Sequence, residues 1–146
     1  MEGLLIHAVL RALSDELPAL NLGLAFPDEG TLAVLLKGRT GRLFNLVLRY
    51  RPPSPSLVLE EGRLEGEPKT PFQRQLHARL RGPLVGAEQL KLDRVVFLRF
   101  AGEKGFVDTP PATLAFEATG RNANLLLLDE TGTLLGVDRV ITKKVN

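Results

Sequence analysis

From Gly3 to Leu17 the apolar residues Leu4, Leu5, Ala8, Val9, Ala12, Leu13 and Leu17 recur with a period of about 3.6, which predicts an amphipathic helix ended by Pro18. The rhythm then drops to two. Leu20, Leu22, Leu24 and Phe26 alternate in LNLGLAF, PDEG is turn chemistry, and TLAVLLK is an apolar run of strand length, so a hairpin is expected. Gly38 to Gly41 makes the next turn, RLFNLVLRY alternates again, and RPPSPS interrupts regular structure. LVLEEGRLEGEPKTP reads as one short strand followed by a polar loop with little to bury, a candidate mobile segment. Thr70 and Pro71 announce a second helix as N-cap and first-turn proline; Phe72, Leu76 and Leu80 form its stripe, and Gly82-Pro83 stops it. VGAEQLKL, DRVVFLRF, LAFEATG, NLLLLDE and TLLGVDRVI then read as strands, with the long loop AGEKGFVDTPP between the second and third.

Nine segments carry strand character, of which seven or eight are expected to form strands, alongside two helices. Sequential strands joined by short turns pair antiparallel, and no strand, helix, strand alternation calls for a parallel sheet. The expected class is therefore α+β, mostly antiparallel and sandwich-like. At 146 residues the chain is expected to form one domain over 1–146, burying roughly 70% of its unfolded surface.

Composition narrows the chemistry. With 44% hydrophobic and 25% charged residues, and no apolar run of membrane-spanning length, the chain is not expected to enter a membrane. The absence of cysteine excludes disulfides, thiolate metal sites and a cysteine nucleophile; two histidines are few for a zinc centre, so no metal or other cofactor is expected. Glu2 stands where a secretory signal carries positive charge, and a cytoplasmic location is expected. Residues 72–99 carry six basic side chains against two acidic, whereas the segments on either side are slightly acidic. A patch of this kind either attracts phosphates or is simply solvated.

Catalytic patterns are few. GRTG lacks the spacing of a phosphate-binding glycine loop, Ser14, Ser54 and Ser56 lack a nucleophile context, and His7, beside the first helix's apolar stripe, reads as structural. The acid pairs Glu60-Glu61 and Asp129-Glu130 read as solvated charge in loops or turns. Three features remain: the basic helix FQRQLHARLRG, the adjacent Asp93 and Arg94 at the head of DRVVFLRF, and EATGRNANLLLLDETG. In a strand, neighbouring side chains face opposite ways, so Asp93 and Arg94 need separate partners. An arginine there can grip a phosphate bidentately, and a carboxylate can accept from a 2′-OH or a base amino group. Equally, Arg94 can hold a backbone carbonyl or Glu117 while Asp93 caps a turn. Gly120-Arg121 reads as a tight turn with an exposed arginine or as a further RNA contact, and Arg74, Arg79 and Arg81 as a solvated or an RNA-binding face.

The order Phe72, Leu76, Leu80, Gly82; Gln89, Leu92, Asp93, Arg94; Glu117, Gly120, Arg121, Asn124, Leu125, Leu127, Asp129, Gly132 resembles the N-terminal domain of the NFACT family, across residues 3–140. This family comprises bacterial proteins labelled fibronectin-binding and ribosome quality-control factors. The resemblance implies a fold similar to the N-terminal domain of formamidopyrimidine DNA glycosylases, in an excised domain or a truncated relative. It implies a function in binding stalled large ribosomal subunits and tRNA and supporting untemplated alanine tailing, with the Asp93-Arg94 pair engaged with tRNA. The candidate RNA contacts are Asp93, Arg94, Arg121, Asn124, Arg74, Arg79 and Arg81, with Glu2 as an accessory acid in place of the family's usual Asp.

Two rival functions come with the resemblance. A glycosylase would need an N-terminal proline amine, but the chain begins Met1-Glu2-Gly3, so neither catalysis nor a small-molecule substrate is expected. The other rival is an adhesin-type domain that binds fibronectin.

Overall fold

The computed structural model describes residues 2–90 and 93–140. The first helix, α1, runs Gly3–Ser14 and buries Ile6, Leu10 and Leu13. Four strands follow: β1 Leu20–Ala25, β2 Thr31–Lys37, β3 Leu43–Arg49 and β4 Ser56–Glu60, forming one sheet in chain order, every pair antiparallel. The second helix, α2, runs Pro71–Arg79. A second antiparallel meander then takes β5 Leu84–Gln89, β6 Val95–Phe100, β7 Ala112–Glu117, β8 Asn124–Asp129 and β9 Leu134–Val137 in order. Among the described residues there are nine strands, because both the short strand after RPPSPS and the last one join a sheet.

One hydrophobic cluster serves both sheets and both helices. It joins Ile6, Leu10 and Leu13 of α1 to Leu32, Val34, Leu36, Phe44, Leu46 and Leu48 of the first sheet, to Phe72 and Leu76 of α2, and to Val96, Leu98, Leu114, Phe116, Leu125 and Leu127 of the second sheet. Register explains the second sheet's contribution. Val96 lies opposite Phe116, Leu98 opposite Leu114, and those two opposite Leu125 and Leu127, so large apolar side chains stand in direct cross-strand pairs on one face. Ala19 and Leu84 exchange both backbone hydrogen bonds, at 3.0 and 2.9 Å, and tie the start of one sheet to the start of the other.

Two consequences of topology position the candidate residues. The β5–β6 and β7–β8 connections lie at one end of the second sheet, since Gln89 pairs with Val96, Val95 with Glu117, and Glu117 with Asn124. The β6–β7 loop and β8–β9 turn lie at the other, since Leu84 pairs with Phe100, Phe100 with Ala112, and Ala112 with Asp129. The six residues of β6 put roughly 17 Å between these ends.

The polar loop after β4 is irregular and mostly exposed, as expected, yet it is tied to the first sheet at several points. Asn45 Nδ2 donates to the Gly62 carbonyl at 2.7 Å, the Phe26 N–H donates to the Gly66 carbonyl at 2.9 Å, and Lys69 Nζ donates to the carbonyls of Phe26 and Glu67. The Gly62 carbonyl is thereby tied to β3 and the Gly66 carbonyl to the residue that follows β1, both distant in sequence.

Candidate nucleic-acid interface

Asp93 and Arg94 do not head the strand. β6 starts at Val95, and both residues lie in the bend that joins it to β5. The Asp93 N–H donates to the Leu90 carbonyl at 2.8 Å, and the Leu90 N–H donates to the Val95 carbonyl at 3.1 Å, closing the bend. The Asp93 carboxylate then accepts the Arg94 N–H at 2.8 Å, so Asp93 caps its own turn. Arg94 is fixed through its backbone, where its carbonyl accepts the Ala118 N–H at 2.7 Å and lengthens the β6–β7 ladder by one bond. Both side chains are exposed, and among the described residues the Arg94 guanidinium has no hydrogen bond or ion pair.

Gln89 couples this bend to the start of α1. Its Nε2 donates to the Asp93 carbonyl at 2.6 Å and to the Gly3 carbonyl at 2.9 Å. The sequence pattern included Gln89, but nothing local marked it as the link; only its spacing from Asp93 carried that signal. Glu2 is thereby brought to the same end. It is the N-cap of α1, with extended backbone at φ −80° and ψ 151°, and its exposed carboxylate makes no capping bond. The cap is therefore unused, although an acid there suits the positive end of the helix.

Arg121 lies at this end too. Gly120 has φ +69°, a left-handed value that glycine tolerates, and opens a short 3-10 turn, Gly120–Asn122, that leaves Arg121 exposed. Arg139 steadies the turn by donating to the carbonyls of Arg121 and Ala123. Asn124 does something else. It is 5% exposed, its Nδ2 donates to the Arg139 carbonyl at 2.8 Å, and its Oδ1 accepts the N–H groups of Leu125 and Arg139. With its amide occupied by backbone, Asn124 offers no edge to a ligand; its role is to latch the chain after β9 onto the start of β8.

Arg79 and Arg81 are at the opposite end, which divides the expected basic face. The Arg81 carbonyl accepts the Gly102 N–H at 2.9 Å beside the β6–β7 loop, with its side chain exposed. Arg79 is partly buried near Asp129, whose carboxyl is held below its usual value by the Thr131 hydroxyl, with the Thr133 N–H and the charge of Arg79 adding to the effect. Asp129 thus organises its turn, accepting the Thr131 N–H, the Thr131 hydroxyl and the Thr133 N–H. Arg74 is exposed on α2.

The bend carries an exposed carboxylate and an exposed guanidinium on adjacent residues, and the 3-10 turn adds a second exposed guanidinium at the same end of the sheet; guanidinium groups suit phosphodiesters and a carboxylate suits a donor such as a 2′-OH. Among the described residues no group of three or more His, Asp or Glu side chains could hold a metal ion, and no helix is long and apolar enough to cross a membrane.

The chain matches the family model described as NFACT N-terminal and middle domains over residues 2–146. No curated protein matches it. Among solved structures it is similar to the N-terminal domain of the fibronectin-binding protein PavA from Streptococcus pneumoniae, with 22% identity, TM-score 0.83, and 100% of this chain and 58% of that one covered. It is also similar to the N-terminal part of the fibronectin/fibrinogen-binding protein from Streptococcus suis, at 17% identity, TM-score 0.85, and coverage of 99% and 55%. For the fibrinogen-binding protein from Staphylococcus aureus the values are 22% identity, TM-score 0.79, and coverage of 97% and 51%. The chain thus spans 51–58% of the length of these solved chains.

Proposed function

The chain belongs to the NFACT family over residues 2–146, and from that premise we propose that it is a non-enzymatic RNA-binding domain of a ribosome-associated quality-control factor. Its partners are the large ribosomal subunit and tRNA, and its task is to support untemplated alanine tailing of blocked nascent chains. The observation that carries this reading is the gathering of Glu2, Asp93, Arg94 and Arg121 at one end of the second sheet, where the Arg94 guanidinium is exposed and unengaged by described residues. Asp93 fixes the backbone at the Arg94 N–H, Gln89 fixes it at the Asp93 carbonyl, and Arg94 reaches the phosphodiester. The test is tRNA binding by Arg94→Ala and Asp93→Ala: a loss of about tenfold supports the reading, and unchanged binding by both sinks it.

The similar structures named as fibronectin-binding or fibrinogen-binding favour a second reading, an adhesin-type interaction domain. Surface plasmon resonance on immobilised fibronectin separates the two. Saturable binding that survives Arg94→Ala supports the adhesin reading, and its absence alongside tRNA binding leaves the RNA reading alone.

A further inference from the structure

A groove of about 620 Å³ runs between α1 and β5, and it begins at Gln89, the side chain that bonds both the Asp93 bend and the start of α1. One wall is the helix face that carries His7, Arg11 and Ser14 at spacings of four and three residues; the other is Ala87 and Glu88 of β5, with Leu10 at the floor. The sequence suggested a structural role for His7, but it is exposed on α1, and so is Arg11. Arg11 lies about 12 Å along the helix from Gly3, so the groove extends well past the Asp93 bend.

Its charges do not describe a phosphate channel. Asp15 closes the far end with a carboxylate, and Glu88 is held by Arg99 Nη2 at 2.9 Å, so cations and anions nearly balance. What the groove offers is apolar surface at Leu10 and Ala87, two planar side chains on its helix wall, and both donors and acceptors among its lining residues. That combination suits an unstacked nucleobase. RNA bases splayed from loops stack on histidine rings and guanidinium planes and present mixed donor and acceptor edges. We infer that the α1–β5 groove receives a single-stranded RNA base, stacked on His7 and Arg11, from the same RNA that meets Asp93 and Arg94.

This inference rests on the RNA reading proposed above, and the test separates the two. Fluorescence anisotropy with deacylated tRNA is measured for the whole chain and for His7→Ala, Arg11→Ala, Arg11→Lys and Arg94→Ala across a salt series. The expected result is a loss of about tenfold for His7→Ala and for Arg11→Ala, the scale of one base stack. His7→Ala is expected to leave the salt slope unchanged. Arg11→Lys keeps the charge without the plane and is expected to remain as weak as Arg11→Ala. A second series uses RNA stem–loops carrying one abasic ribose at each loop position: one position is expected to cost the wild type about tenfold and cost His7→Ala nothing more. If Arg94→Ala weakens binding while His7→Ala and Arg11→Ala do not, the groove assignment is overturned and the RNA reading stands. Arg11→Lys restoring full affinity would mark a phosphate contact and equally overturn base stacking. If the wild type binds no RNA, or Arg94→Ala binds as the wild type does, the RNA reading fails and the groove inference falls with it.

Discussion

Tyr50, the chain's sole tyrosine, is fully buried. Its hydroxyl donates to the Glu29 carbonyl at 3.0 Å and accepts from Gln73 Nε2 at 3.1 Å. Burial pushes its pKa up to about 12, against the opposing Gln73 bond. A folded-state pKa above the unfolded value of 10.0 means stability that is complete below pH 10 and lost as pH rises towards 12. The phenolate absorbance of the folded protein is therefore expected to titrate near 12, with no competing tryptophan, and thermal stability to fall over the same window. Tyr50→Phe should remove that alkaline step in a calorimetric pH series. Glu16 contributes on the acid side: Thr40 donates to its carboxylate from the hydroxyl at 2.7 Å and from the N–H at 3.1 Å, which lowers its pKa from the usual 4.5. This contribution is present above pH 4.5 and lost as pH falls through the folded value, so Thr40→Val is expected to flatten the acid limb of the melting-temperature profile.

At the scale of elements, α2 shows what local chemistry can specify. The Thr70 hydroxyl accepts the Gln73 N–H at 3.0 Å, Pro71 occupies the first turn, and Gln73 Oε1 accepts the Lys69 N–H at 2.8 Å. Thr70→Ala is expected to cost about 1 kcal/mol and lower the melting temperature by about 4 °C, read by calorimetry. Thr70, Pro71 and the helical stripe were all legible in the sequence because the interactions that start a helix span only a few residues. The bend at Asp93 was not, since the apolar alternation from Val95 onward continues a rhythm that the preceding residues also fit. Bonds among Leu90, Asp93, Arg94 and Val95 close it, and Gln89, which also reaches Gly3 86 residues away, ties it to the start of α1. The surroundings of Asn124 and His7 are likewise set at long range. The latch from Asn124 to Arg139 and the groove wall opposite His7 come from tertiary placement, which side-chain type alone does not encode. Arg121 was legible, because a glycine at positive φ before an arginine is a local instruction.

At the scale of the molecule, the excess positive charge of residues 72–99 is not one patch. Arg81 projects beside the β6–β7 loop, and Arg94 beside the start of α1, with the length of β6, roughly 17 Å, between the two ends. A ligand gripped at one end therefore does not touch the other unless it runs along the sheet. Charge reversal tests this directly, because Arg81, Arg94 and Arg121 are all exposed and changing them leaves the core intact. Arg94→Glu and Arg121→Glu are each expected to weaken tRNA binding and to reduce the logarithmic salt slope by roughly 0.7 to 0.9 for each phosphate lost. Arg81→Glu is expected to change neither quantity beyond the small long-range term that salt screens over about 10 Å at 0.1 M. Equal losses at both ends would mean that the RNA lies along the whole sheet, and the end that holds Asp93 and Arg94 would then be one contact of a longer track.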